Sequence, residues 1–128
     1  IVPGGGLALL RARQALDGVS LEGDEQTGVN ILRAALVKPL MLISENTGVS
    51  GEVILAETLK GEAGFGYDAE SGEYGDLLEK GIMDPAKVTR AAIENASSVA
   101  AMVLTTESLI SDIPKEEPAA PAMPPMDY

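Results

Sequence analysis

Residues 84–105 read DPAKVTRAAIENASSVAAMVLT, and this stretch decides the fold class because it is the longest helix-like run in the chain. Asp84 followed by Pro85 is a typical helix start, with Asp84 as the N-cap and Pro85 at the first helical position. Most side chains in the run are small, and apolar ones recur along one side at Val88, Ala92, Val99 and Val103. We therefore predict one long, slim helix that packs deep in the core, with other backbones close to it.

The start of this helix carries charges that suggest a second role for Asp84. Lys87 and Arg90 lie in the first turn, where cations oppose the positive end of the helix dipole. An Asp that caps a helix stabilises it by about 1 kcal/mol. A carboxylate at a helix start near a glycine loop also suits the hydroxyl pair of a ribose. The spacing alone leaves both roles open.

Two shorter helices are bounded by glycines. Residues 7–16 (LALLRARQAL) are apolar and rich in helix formers, and they follow a glycine-rich lead-in at residues 4–6. Ser50 precedes the run GEVILAETLK, which Gly61 ends, so Ser50 is the predicted N-cap of this helix.

A further helix opens at residues 23–25, between these two, with Asp24 as its predicted N-cap. Pro39 falls inside the run and is expected to kink or split it. Apolar residues at spacings of three and four predict one buried stripe, formed by Val29, Leu32, Leu36, Leu40 and Ile43.

The remaining segments are predicted as β-structure and tail. Aromatic residues alternate within residues 65–74 around a turn at residues 68–72, which predicts a short β-hairpin. Residues 109–113 predict a short C-terminal strand. Residues 114–128 contain five of the eight prolines and no apolar period, so they are predicted to be a flexible tail. The fold class is mainly α, a helical bundle-like segment with a small hairpin.

The composition excludes several kinds of chemistry. The chain has no His, Cys or Trp, so thiol nucleophiles, zinc sites built on Cys or His, and a Ser–His pair are excluded. The formal net charge of −11 disfavours binding to nucleic acid. The longest nearly unbroken apolar stretch, residues 99–104, is too short to span a membrane. We therefore expect that the protein does not bind a membrane. Because the chain opens with Ile1 inside an apolar phrase, we expect a fragment or a processed piece.

Two motifs are candidate ligand sites. The PGGG sequence at residues 3–6 suits a phosphate held by backbone amides, but the spacing favours a simple bend into a helix. Leu9 stands where the dinucleotide fingerprint requires its third Gly. Residues 68–79 match a calcium loop poorly, because Glu73 stands at the position that must be Gly. No pair of carboxylates stands out as a general acid and base.

Taken together, the motifs resemble the C-terminal part of the group I chaperonins, the GroEL family. The resemblance is carried by IVPGGGLALLRA (residues 1–12), DEQTGVNILRAAL (24–36), GYDAESGEYGDLLEKGIMDPAKVTRAAIENASSVAAMVLTTESLI (66–110) and SDIPKEE (111–117). These phrases occur in the family's order and spacing. The resemblance implies that residues 1–113 form the second half of a discontinuous, helical equatorial domain that binds nucleotide.

The resemblance also implies which residues contact the nucleotide. The positions that match the family's motif are Gly4, Gly5, Asp68, Ala69, Glu70, Ile82 and Asp84. The backbone at Gly5 would approach the nucleotide, Asp84 would accept hydrogen bonds from the ribose, and residues 68–70 would lie at the base. Asp68 often reads Asn in the family, and an ionised carboxylate accepts hydrogen bonds but does not donate them.

The implied cofactor is ATP, with Mg²⁺ held by residues outside this chain. The implied partners are a homo-oligomeric ring, a co-chaperonin and non-native polypeptides, in the cytoplasm of a bacterium or in an organelle. The family's phosphate-binding half and its water-activating Asp are absent from this sequence. The alternative is therefore a helical structural or interaction module that has no ATPase activity of its own.

Overall fold

The computed structural model describes residues 1–113, which are mainly helical, as the sequence predicts. The helices are α1 (Leu7–Ala12), α2 (Gly23–Ala35), α3 (Lys38–Glu45), α4 (Gly51–Lys60) and α5 (Ala86–Thr105), and a 3-10 helix (Arg13–Gly18) follows α1. The strands are β1 (Val2–Pro3), β2 (Phe65–Asp68), β3 (Glu73–Asp76) and β4 (Met83–Asp84). The predicted tail, residues 114–128, lies outside the described residues.

The core lies where α1, α3 and α4 meet the hairpin formed by β2 and β3. Leu7 in α1 is fully buried, and Leu77, just after β3, is 1% exposed. The buried apolar cluster consists of Leu7, Leu10, Val37, Leu40, Met41, Ile54, Tyr67 and Leu77. Neither α2 nor α5 contributes a side chain to this cluster, so the two longest helices lie outside the main core of the described chain.

Gly6 lets the start of α1 lie directly on the backbone of α3. Gly6 is the N-cap of α1 and has a φ of +79°, a conformation that side-chain-bearing residues rarely adopt. A Cβ at Gly6 would lie 2.6 Å from the Leu40 amide nitrogen and 2.8 Å from the Leu40 Cα. The predicted glycine-rich lead-in is therefore a requirement of helix packing.

The helices on either side of the α2–α3 pair have nearly the predicted bounds. α4 has Ser50 as its N-cap and Gly61 as its C-cap, although the Ser50 side chain makes no capping hydrogen bond. The first predicted helix is an α-helix over residues 7–12 and continues as a 3-10 helix over residues 13–18.

The predicted split near Pro39 is confirmed. α2 and α3 are separated at residues 36 and 37, and Pro39 lies in the first turn of α3, where its missing N–H is tolerated. The prediction that Asp24 caps α2 is wrong. Glu22 holds the N-cap position without a side-chain hydrogen bond, and Asp24 lies within the first turn, where its charge still favours the helix dipole.

The apolar stripe predicted along this segment is only partly buried. Leu36 and Leu40 are 8% and 2% exposed, but Leu32 and Ile43 are 39% and 38% exposed. The stripe requires one helical repeat across the whole segment, including the position where Pro39 is expected to kink or split it. Because the break at residues 36 and 37 interrupts the helical repeat, the two halves of the stripe do not share one buried face.

The predicted hairpin is confirmed. β2 and β3 pair antiparallel, with Tyr67 opposite Tyr74 and Asp68 opposite Glu73. The Tyr74 ring lies 5.4 Å from the Tyr67 ring and 5.8 Å from the Phe65 ring, between ring centroids, so three aromatic side chains cover one side of the hairpin.

α5 has the predicted position and length, but the prediction that it packs deep is wrong within the described chain. No residue of α5 is buried, and Val88 and Val103 are each 63% exposed. An apolar gap of about 580 Å³ separates α5 from α2 and α3. The apolar side of α5 therefore faces a space that residues 1–113 do not fill.

The predicted C-terminal strand at residues 109–113 is wrong. The described chain after Thr105 contains no strand, and both of its sheets are two-stranded, β1 with β4 and β2 with β3. Leu109 and Ile110 are 87% and 96% exposed. A strand forms only against a partner that satisfies its backbone groups, and nothing in residues 1–113 provides that partner here.

One segment is compatible with a membrane span by length and composition alone. It is Gly23–Glu45, which contains α2 and α3. Core helices meet the same criterion, and Leu40 and Met41 of this segment pack in the main core, while the break before α3 interrupts the helix. That no part of the chain binds a membrane stays a prediction.

Replacing Gly6 with alanine should destabilise the full-length protein by about 3 kcal/mol, because the new Cβ adds left-handed strain and a clash with the α3 backbone. The matched control is Gly18→Ala, since a Cβ at Gly18 meets nothing within 4 Å. The measurement is the denaturant midpoint of each variant. Equal midpoints for the two variants would contradict this account of α1 packing.

Candidate functional site

A short antiparallel bridge brings the N-terminal glycines to the residues that precede α5. β1 pairs with β4, and Val2 lies opposite Asp84. The Gly4 amide extends this pairing by donating to the Ile82 carbonyl at 3.0 Å. A Cβ at Gly4 would lie 3.2 Å from the Ile82 Cγ2 atom, so glycine allows the close approach. Three of the predicted site residues, Gly4, Ile82 and Asp84, therefore lie side by side.

Asp84 does not cap α5, and the prediction that it does is wrong. Pro85 is the N-cap, with a φ of −66° and a ψ of 120°, and no side chain makes a capping hydrogen bond. The extended conformation of Pro85 starts the helix one residue later than predicted, because the Asp84 backbone belongs to β4. Asp84 is half-buried, and within residues 1–113 its carboxylate has no hydrogen-bond or ion-pair partner. It is an acceptor available to a ligand.

Gly5 lies between the β1–β4 bridge and the hairpin. Its φ is +62°, and a Cβ there would lie 3.5 Å from Leu77 Cδ1 and 3.8 Å from the Tyr67 carbonyl oxygen. Gly5 is therefore close to the end of β2, where the predicted base-binding residues begin. In the described part of the chain the amides of Gly5 and Gly6 donate no hydrogen bond. The bare backbone here has donors that are not used inside the fold.

Asp68, the last residue of β2, shapes the loop that follows. Its Oδ1 atom accepts hydrogen bonds from the amides of Glu70 at 3.0 Å and Ser71 at 3.4 Å. Its Oδ2 atom accepts from the Ser71 hydroxyl at 2.5 Å and from Lys80 Nζ at 3.3 Å. The bond from the Ser71 hydroxyl, followed by that from the Glu70 amide, lowers the pKa of Asp68 from 3.8 to about 2, against the opposing effect of desolvation. Asp68 is therefore ionised at neutral pH.

The other predicted base and wall residues lie around the edge of the core. Ala69 and Ile82 are half-buried and pack against the main cluster, whereas Glu70 is exposed. Gly5 lies close to Leu77 and to the Tyr67 carbonyl, one residue before the loop that begins at Asp68. The structure thus brings Gly4, Ile82 and Asp84 together at the bridge and places Gly5 near the end of β2. The nucleotide-binding roles of all seven predicted residues stay predictions.

Sequence reasoning missed Arg11, which ties α1 to the end of α4. The Arg11 Nη2 atom lies 3.1 Å from the carbonyl oxygens of both Thr58 and Gly61, and it also donates to Glu62 and Phe65. One nitrogen with two hydrogens is shared among these acceptors at the point where α4 ends and β2 begins. The partners are 47 to 54 residues away in sequence, so no local pattern indicates this contact.

Replacing Arg11 with methionine should destabilise the full-length protein by about 2 kcal/mol, because the last carbonyls of α4 lose a charged donor. The control is Arg13→Met, since Arg13 makes no side-chain hydrogen bond within residues 1–113. Free energies of unfolding measure the difference. If both variants lose the same stability, Arg11 does not have the role proposed here.

Two cavities of the described chain lie beside α5. One, of about 420 Å³, lies between α1 and α5, and the other, of about 580 Å³, lies between α5 and the α2–α3 pair. Both are mainly apolar, and neither is lined by a predicted site residue. In the part of the chain that the structure describes, no three Cys, His, Asp or Glu side chains are grouped so as to hold a metal ion.

The family model of the TCP-1/cpn60 chaperonin family matches residues 1–114, a range that includes every described residue. The chain therefore belongs to the TCP-1/cpn60 chaperonin family.

Solved structures support the same family. The chain is similar to an open-state monomer of a group II chaperonin from Methanococcoides burtonii, with 27% identity and a TM-score of 0.74 over 82% of this chain and 28% of that one. It is also similar to a group III chaperonin in the open state, with 33% identity and a TM-score of 0.76 over 85% of this chain and 24% of that one. The chain thus spans about a quarter of the length of these relatives. The match is to the chaperonin family as a whole, and the two structures belong to groups II and III.

Proposed function

We propose that the full-length protein is an ATP-driven chaperonin and that this segment supplies the base and ribose side of its nucleotide site. The observation that carries the proposal is the β1–β4 bridge, which pairs Val2 with Asp84 and continues to Gly4 and Ile82. It brings the glycine loop, with the unused amide of Gly5, to the strand that carries the unengaged Asp84 carboxylate. Family membership supports a nucleotide as the ligand of these residues.

The chemistry of each residue suits its proposed role. A carboxylate accepts at several positions, so Asp84 can bind both hydroxyls of a ribose at once. The unused amides near Gly5 can donate to the nucleotide, since no side chain blocks the approach. Ile82 would provide an apolar wall for the sugar, and residues 68–70 would lie next to the nucleobase. The phosphates and Mg²⁺ would be held by residues outside this segment.

The proposal includes a group I assembly, with a homo-oligomeric ring, a co-chaperonin and non-native polypeptides as partners, located in the cytoplasm or an organelle. The support is the collinear GroEL-like phrases from residue 1 to residue 117. We further propose that the first half of the equatorial domain covers the gap between α5 and α2. The support is the apolar lining of that gap, which includes Ile31, Leu32 and Leu104.

Replacing Asp84 with alanine in the full-length subunit should weaken ATP binding about 30-fold, because a charged acceptor of ribose hydrogen bonds is lost. Since Asp84 caps no helix, the unfolding free energy should change by less than about 0.5 kcal/mol. Calorimetric titration with ATP and a denaturant curve measure the two quantities.

The matched control for this experiment is Asp24→Ala, which removes an exposed carboxylate from the first turn of α2. It should leave ATP affinity unchanged. An unaltered dissociation constant for Asp84→Ala would refute the ribose role, and an equal loss in both variants would show that the effect is one of overall charge.

A further inference from the structure

We propose that Lys80 is a positioning residue for nucleotide binding, because it ties the loop at residues 68–72 to the turn that leads to Asp84. The inference rests on the proposed function and deepens it. Lys80 shapes the loop on the side of the site where the nucleobase is proposed to bind. It is not one of the residues predicted to contact the nucleotide.

The Lys80 ammonium group contacts three groups of the hairpin. Its Nζ atom lies 3.3 Å from Asp68 Oδ2, 3.3 Å from Ser71 Oγ and 3.5 Å from Glu73 Oε2. An ammonium group has three donors, so all three contacts can be made together. The Lys80 side chain is only 26% exposed and that of Asp68 only 14%. The Glu73 side chain is 74% exposed, so the contact that holds the ammonium group over the loop is the one with Asp68.

The stem of Lys80 reaches this place across Gly75 in β3. A Cβ at Gly75 would lie 3.0 Å from Lys80 Cε and 3.7 Å from Lys80 Cδ. Because Gly75 has no side chain, the aliphatic stem lies against the strand while its charged end reaches the loop. Packing and charge thus select the same side-chain conformation.

The backbone of Lys80 belongs to the turn on the sugar side. Its amide donates to the Asp76 carbonyl at 3.1 Å, and the Ile82 amide donates to the Leu77 carbonyl at 2.7 Å. Asp84 follows Lys80 by four residues. One residue therefore joins the loop at the proposed base side to the strand at the proposed ribose side.

Asp68 has no acceptor position left for a base. A carboxylate offers about four lone-pair positions. Two backbone amides, the Ser71 hydroxyl and the Lys80 ammonium group occupy them. Asp68 therefore orders the loop, and recognition of the base falls to the neighbouring residues Ala69 and Glu70. The family often has Asn where this chain has Asp68. The negative charge of Asp68 is balanced by Lys80, and a neutral Asn would not need such a cation.

The Lys80 cluster differs from an ordinary exposed ion pair, which contributes little. The pair of Lys60 with Glu57 provides the comparison. Its side chains are 68% and 47% exposed, and Lys60 has one partner. Lys60→Met is therefore the matched control for Lys80→Met, because it removes the same charge from a site with no constraint.

The experiment uses the full-length subunit and measures dissociation constants for ATP, GTP and 2′-deoxy-ATP. For Lys80→Met, ATP should bind about five-fold more weakly, and the preference for ATP over GTP should shrink by a similar factor. The preference for ATP over 2′-deoxy-ATP should not change, since that ratio reports on the ribose. For Asp84→Ala, the preference for ATP over 2′-deoxy-ATP should shrink and the preference for ATP over GTP should not change. Lys60→Met should match the wild type in both preferences.

The design separates positioning from general loss of structure, because loss of folded protein does not change a ratio of dissociation constants. The double variant Lys80→Met with Asp68→Asn should bind ATP no more weakly than Lys80→Met alone, since both changes break one network. If the double variant instead loses as much affinity as the losses of Lys80→Met and of the single variant Asp68→Asn multiplied together, Asp68 contacts the base itself. The inference is then overturned.

Two further outcomes are decisive. A wild-type subunit that binds ATP, but whose preference for ATP over GTP is absent or is unchanged by Lys80→Met, overturns the inference and leaves the proposed function standing. A wild-type subunit that binds no ATP overturns the proposed function itself.

Discussion

The arrangement of the site depends on the antiparallel bridge between β1 and β4. It joins residues 2 and 84, and the cost of closing such a long loop rises only with the logarithm of its length. Once formed, the bridge fixes the position of Gly4 and therefore of the start of α1. At that point Gly6 allows α1 to pack against the backbone of α3. At its other side it fixes the chain just before α5. Two residues on each strand thus set the relation between the glycine loop, the core and the last helix.

Three Asp residues around the hairpin show how neighbours decide the use of one side chain. Asp68 is saturated by four donors, and Asp76 accepts from the amides of Leu78 at 2.8 Å and Glu79 at 3.1 Å. Both carboxylates satisfy the backbone of a turn. Asp84 differs because its place in β4 leaves its carboxylate without an internal donor in residues 1–113. The Asp84 carboxylate is thus free to accept hydrogen bonds from a ligand, which is the role proposed for it.

The sequence was a good guide to local structure and a poor guide to distant contacts. Glycine and proline positions predicted the bounds of α4 and the break before α3, and alternating aromatics predicted the hairpin, because those signals act within a few residues. The prediction that Asp84 caps α5 was wrong because the Asp84 backbone pairs with Val2, which is far away in sequence. The contacts of Arg11 were missed for the same reason. Lys80 has partners only 7 to 12 residues away, but that is still farther than the turn signals act. The site residues came from resemblance to a family, since spacing left each of them with a purely structural alternative.

The position of Asp84 relative to α5 has a mechanical consequence. α5 has 20 residues, and at 1.5 Å per residue it is a rod about 30 Å long that begins two residues after Asp84. A tilt of about 5° around Pro85 would carry its far end through about 3 Å while leaving the carboxylate nearly in place. If α5 turns as a rigid rod about its first residues, a rearrangement of whatever covers its distant end reaches Asp84 only as a small rotation.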